Sequence, residues 1–340
     1  MKFDHVRLVV ITAILLFSFS CKSDKKKPTI PDAPAFRDPA VKAISLKIAD
    51  NPTDARLYYN RGVLLHRMQE DSLALNDFEK AVNLDSSRAE YFSAVGDLMF
   101  EHKDVEASVP WIQKAVELNP NDPTARLKIA KMFVFIKEYP KAFTEINTVL
   151  RANAMVPEAY FLKGLIYDDL KDTAKAISSF QTALQVDPSY GDAMIQLGGV
   201  YSRLKDPIAL KYYDNAFKLD STKVFPLYAR GMFYQEQKKF EEAKEEYRNA
   251  IVHDRDYADA YFAMGYILLQ QDSLDKAWRQ FDLVTKLEPT NEKGYYNRGL
   301  ASEMMGKNKE ALQDYQQALT FNPQYQEAAA GVKRVGKGGS

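Results

Sequence analysis

Side chains that could do chemistry are sparse along this 340-residue chain. There is one cysteine, Cys21, so no disulfide can close within the chain and nothing supports a thiolate zinc site. The four histidines, His5, His66, His102 and His253, lie far apart, and His66 and His253 fall on helical stretches with no second ligand nearby in sequence. No HExxH zinc motif, glycine-rich phosphate loop or GxSxG nucleophile turn occurs. Carboxylates are abundant, but they recur at the spacing of solvated helix surfaces. We therefore expect no catalytic residue, no metal and no cofactor, and a chain that is not an enzyme. Lysine plus arginine (46) balances aspartate plus glutamate (46), which argues against nucleic acid or another polyanion as partner.

What the chain does carry is a repeated helix pair. From Glu158 to Tyr190, the residues Tyr160, Gly164 and Tyr167 mark one face of a first helix, and Ala176, Phe180 and Ala183 one face of a second. Lys171-Asp172-Thr173 supplies the turn and an N-cap, and Pro188 stops the second helix. Helices approach closely only where side chains are short, which accounts for Gly164 and Ala176. The small first-helix residue returns as Gly62, Gly96, Ala130, Gly164, Gly198, Gly231, Gly265 and Gly299. The second-helix position returns as Ala74, Ser108, Ala142, Ala176, Ala209, Ala243, Ala277 and Ala311. Four residues on stand Phe78, Ile112, Ile146, Phe180, Tyr213, Tyr247, Phe281 and Tyr315.

This pattern resembles the tetratricopeptide repeat family, whose period is about 34 residues. The resemblance implies an all-α, right-handed solenoid of eight repeats, at 55–88, 89–122, 123–156, 157–190, 191–223, 224–257, 258–291 and 292–325. A lone helix over 40–54 should cap the first repeat, and residues 326–340 should form a C-terminal capping helix and flexible tail, since terminal repeats need covering. Two irregularities stand out. A one-residue deletion falls in the turn Leu204-Lys205-Asp206-Pro207, where Asp206 can cap. Pro110 lies inside a second helix, which must start late, near Ser108, or kink; a local kink is expected.

The first 20 residues combine Lys2 and Arg7 with the apolar run Leu8–Phe19, too short to span a bilayer but suited to a signal peptide. With Ser20 before Cys21 the segment resembles a bacterial lipoprotein signal, although Ser18 departs from the usual large aliphatic residue. A plain secretory signal and a short membrane anchor are the alternatives. By that resemblance Cys21 is the lipidation site, 21–39 a flexible Lys/Pro-rich tether, and Lys22 favours the outer membrane, facing the periplasm.

In the tetratricopeptide family the first helices line a concave groove. By resemblance, the groove here takes Tyr59, Leu127, Phe161, Ile195, Tyr228, Phe262 and Tyr296 from the position three before the small residue. Leu165, Met232, Tyr266 and Leu300 come from the position one after it. The rim carries Asp168, Asp169, Asp192 and Asp259. These residues either bind partners or pack neighbouring helices. The functional reading is a membrane-anchored scaffold for protein or peptide segments, neutral to basic, with apolar anchors. Alternatives are a peptidoglycan- or glycan-binding protein, or an assembly factor for a secretion or pilus machine.

Overall fold

A computed structural model describes residues 33–336. The signal segment, Cys21 and most of the expected tether lie outside the described residues. Among the described residues there is no strand. The chain divides into two compact units between His102 and Lys103. The first contains a 3-10 turn (Pro34–Arg37), α1 (Pro39–Asp50), α2 (Ala55–Arg67), α3 (Asp71–Leu84) and α4 (Ala89–Glu101). The second contains α5 (Val105–Leu118), α6 (Pro123–Phe135), α7 (Tyr139–Ala152), α8 (Pro157–Asp169) and α9 (Thr173–Val186). It continues with α10 (Gly191–Arg203), α11 (Ile208–Leu219), α12 (Phe225–Glu236), α13 (Phe240–His253) and α14 (Ala258–Gln270). It ends with α15 (Leu274–Leu287), α16 (Glu292–Met304), α17 (Asn308–Phe321) and α18 (Gln326–Gly336). Each unit is a stretch of α-solenoid.

Capping chemistry fixes where the helices begin. Asp54 accepts the backbone N–H of Arg56 (3.0 Å), Asp122 that of Thr124 (2.8 Å), and Asp172 that of Lys175 (3.2 Å). Asp206 accepts from Ile208 (2.9 Å) in the shortened turn, as its sequence suggested. The first helices end in a shared way. Lys171 N–H bonds to Asp168 C=O (3.0 Å) and Asp172 N–H to Tyr167 C=O (2.9 Å), the paired bonds of a Schellman motif. That motif needs one residue with positive φ. Among the described residues it is Gln69, Lys103, Lys137, Lys171, Lys205, Lys238 and Asp272, and glycine only at Gly306.

The helices pair through a contact between glycine and ring. An added Cβ at Gly164 would lie 2.4 Å from Phe180, at Gly198 2.5 Å from Tyr213, and at Gly231 2.3 Å from Tyr247. The ring of the second helix therefore lies where the first helix has no side chain. Phe180, Tyr247, Phe281 and Tyr315 are completely buried this way. Beside this seam, Arg61 makes two bonds of 2.7 Å to Asp77, and Arg298 bonds Asp314 at 3.0 and 2.6 Å.

Three features add to what the sequence suggested. The packed chain reaches further back than residue 40: Pro34–Arg37 is a 3-10 turn, Ala35 and Phe36 are buried, and Arg61 lies over the Phe36 ring. The last residues of the expected tether are therefore part of the fold, because an aromatic ring and a cation give them a partner. The helix holding Pro110 does not start late: α5 begins at Val105, with Asp104 accepting from Ala107 (3.2 Å). The break between units falls inside the second repeat rather than between repeats. That repeat's second helix departs most from the pattern, with Ser108, Pro110 and Ile112.

Candidate partner-binding surface

In the second unit the first helices form a touching series: α6 meets α8, and α10, α12, α14 and α16 meet in turn. The residues they present without burying them are the candidate surface. The seven groove positions three before the small residue serve packing first. Tyr59 lies between Phe78 (5.9 Å between ring centres) and Tyr91 (5.1 Å). Phe161 lies between Phe180 (5.8 Å) and Tyr190 (5.3 Å), and Tyr228 between Tyr247 and Tyr257 (both 5.6 Å). Phe262 packs on Phe281 (5.6 Å), and Tyr296 between Tyr315 (5.7 Å) and Tyr325 (5.1 Å). Each aromatic member is half-buried against a ring of its own second helix, and all but Phe262 also meet a ring at the start of the next helix pair. Burial pushes the phenols of Tyr190, Tyr257 and Tyr325 up to about 12, so they pack uncharged.

Leu127 corrects the groove assignment outright. It is 5% exposed and belongs to the core, because α6 buries more of its circumference than its neighbours. Ile195 is half-buried and lines a cavity of about 340 Å³ together with Asp192.

The second set behaves differently. Met232 is 37% exposed and Tyr266 42% exposed, at the same position of consecutive repeats. Leu165 and Leu300 are half-buried. Beside Met232 opens a cavity of about 310 Å³, lined by Gln235, Glu236, Lys238, Phe240 and Gln270. Two further apolar residues were missed one turn on: Phe135 (65% exposed) and Met304 (49%). Both stand five residues after the repeat's small residue, a register the period makes readable.

The rim splits as well. Asp168 is ion-paired with Arg203, while Asp169 accepts from the Tyr139 hydroxyl and pairs with Lys137 (3.3 Å). Those carboxylates are satisfied within the fold. Asp192 and Asp259 are exposed and make no ion pair among the described residues. Although the residue as a whole is exposed, partial burial of its carboxyl, then the charge of Glu288, raises Asp259 above the usual range.

No helix of the described residues is long and apolar enough to cross a membrane, and among them no group of histidine, cysteine or carboxylate side chains could hold a metal ion. The surface offers apolar contacts, a few free carboxylates and amides.

Tetratricopeptide repeat profiles match residues 55–88, 157–190 and 292–325, and a further repeat profile matches 231–272. The chain is 22% identical to a TPR repeat-containing protein of Methanocaldococcus jannaschii over 68% of its own length and 36% of that protein's. It spans between 12% and 36% of the curated relatives it matches. Among solved structures, yeast Tom70 superposes with a TM-score of 0.62 at 14% identity, covering 92% of this chain and 66% of that one. PilW, a type IV pilus biogenesis factor, superposes at 0.52 and 18% identity, covering 61% and 97%. The profile matches at 55–88, 157–190 and 292–325, in phase with one another and on helix pairs built around the same glycine and ring, identify the chain's repeats as tetratricopeptide repeats.

Proposed function

We propose that the protein is a non-catalytic scaffold that binds a segment of a partner protein on the first-helix face of the second unit. Met232 and Tyr266 are the main anchors, with Leu165 and Leu300 beside them. The observation that carries this reading is the exposure of two large apolar side chains at matched positions of adjacent repeats, where the neighbouring rings are already used for packing. Asp192, Asp259 and Glu236 favour a neutral or basic segment, a preference that acts mainly on the association rate. In the same reading the chain is tethered in a bacterial cell envelope through a lipid on Cys21, at the outer membrane and facing the periplasm. The sequence of residues 1–21 supports this.

Co-purification from detergent-solubilised envelopes, with mass spectrometry of the retained proteins, tests the partner. A protein retained by the native chain and lost from the Met232→Ala/Tyr266→Ala variant fits the scaffold. Retention on peptidoglycan, with no protein lost, would favour the glycan reading instead. Fractionation of a Cys21→Ala form tests the anchor separately: it should leave the membrane fraction.

A further inference from the structure

Two histidines far apart in sequence meet one carboxylate in the first unit. His66 Nδ1 lies 2.8 Å from Asp71 Oδ1, and His102 Nε2 lies 2.9 Å from Asp71 Oδ2. His66 Nε2 also faces Glu101 Oε2 at 3.4 Å. His66 sits in the last turn of α2, Asp71 opens α3, and His102 is the C-cap of α4. The cluster therefore ties the first repeat to the first helix of the second. We propose that His66, Asp71 and His102 form a proton-operated clamp, tight when the imidazoles are charged and loose when they are neutral.

The geometry assigns the tight state. His66 has a carboxylate oxygen at each ring nitrogen. A neutral imidazole carries one N–H, so one of those contacts would set a lone pair against an oxygen. Only the imidazolium donates to both. Asp71, taking a donor on each oxygen, is best served by two charged donors, since charge-assisted bonds are roughly twice as strong as neutral ones. The backbone adds its field in the same sense: cations are favoured at the ends of α2 and α4, and an anion at the start of α3. Other charges nearby are Arg67 on α2, Glu70 just before α3, and Asp97, which with Arg67, His66 and Glu101 lines a cavity of about 210 Å³. Arg67 opposes protonation and the three carboxylates, Glu70, Asp97 and Glu101, favour it. The hydrogen bond from His66, with that from His102, holds the Asp71 carboxyl below the usual range, so it remains the anion the clamp needs. Imidazole is the side chain whose charge changes between about pH 5 and 8. The stability contributed by the clamp is therefore complete at the acidic end of that window and is lost as pH rises through it.

Hydrogen exchange on the full chain at pH 6 and pH 8, corrected for intrinsic rates, tests the clamp. Protection of α2–α4 amides should be about two- to fivefold higher at pH 6, as surface ion pairs of this exposure allow, while α14–α16, which hold no histidine, should show no such gain. His66→Gln/His102→Gln should abolish the difference. Exposed His102 alone, changed to Gln, should reduce it with the fold intact. Equal protection at the two pH values in the native chain would overturn the clamp. So would a full pH difference surviving in a folded His102→Gln variant or in the double variant.

Discussion

Gly198 and Gly199 are adjacent on α10, and the structure predicts opposite outcomes for the same substitution. Replacing glycine by alanine inside a helix gains about 0.8–1.0 kcal/mol of backbone propensity. At Gly199 nothing opposes that gain, because an added Cβ meets only Arg203 Nη1 at 3.8 Å and Tyr213 Oη at 3.9 Å. Gly199→Ala should therefore stabilise by about 0.5–1 kcal/mol. At Gly198 the same atom would lie 2.5 Å from Tyr213 Cε1 and 2.7 Å from Cδ1. Ordinary carbon contacts are about 3.5–4.0 Å, so the ring must move by about 1 Å or more. Tyr213 is 4% exposed and has no room to move outward. Overpacking of this kind costs about 1–3 kcal/mol. Set against the propensity gain, Gly198→Ala should be a net loss of up to about 2 kcal/mol. A stack of repeats need not unfold in one step, so the local readout is hydrogen exchange of the α10 amides, supported by the urea midpoint. Equal signs for the two variants would refute the claim that the ring, and not the helix, sets the glycine requirement.

Other perturbations exploit the same geometry. Lys171 and Lys205 hold φ of 62° and 57°, so Lys171→Gly or Lys205→Gly should each stabilise by about 0.5–1 kcal/mol in thermal or urea unfolding, the strain relieved exceeding the entropy glycine adds to the unfolded chain. Glu246 receives one bond from Arg230 (2.7 Å), leaving Glu246 Oε2 and Arg230 Nε buried without partners, whereas Asp77 and Asp314 each take two bonds from their arginines. Glu246→Asp should bring the second bond into reach and raise the unfolding midpoint by the equivalent of about 1 kcal/mol. Burial raises the Glu246 carboxyl, so its contribution changes sign relative to most acids: stability from this group improves as pH falls toward the glutamate range. At the far end, the bond from Arg334 holds Glu303 below its usual range, so α18 should lose protection as pH falls below about 4, and Arg334→Gln should remove that dependence.

The fold was legible because its packing rule is local. A short residue on one helix and a ring on the next recur at a fixed interval, and the structure places Phe180 against Gly164 and Tyr247 against Gly231 as that interval requires. The partner surface was legible only in part. Period alone places Phe161 and Met232 on first helices but does not say which is covered, because coverage depends on neighbours such as Tyr190 that lie outside the helix. The row of lysines with positive φ was hidden because glycine, the usual marker of that conformation, stands only at Gly306. Asp71 and its two histidines were hidden for a different reason. Their meeting depends on how the turn after α2 and the end of α4 converge, and no spacing rule encodes that. The paired rim acids belong to the same class, since the Asp168–Arg203 contact joins residues 35 positions apart.

On the reading proposed above, the first-helix face of the second unit, not its outer face, takes a partner protein. A photo-crosslinking amino acid placed at Tyr266, and in a parallel strain at Val252, which is 74% exposed on α13, puts that claim to one comparison in the native host. A discrete crosslinked protein is expected from position 266, none from 252, and loss of the product when Met232→Ala is added. A product from 252 alone, or one from 266 indifferent to Met232, would contradict it.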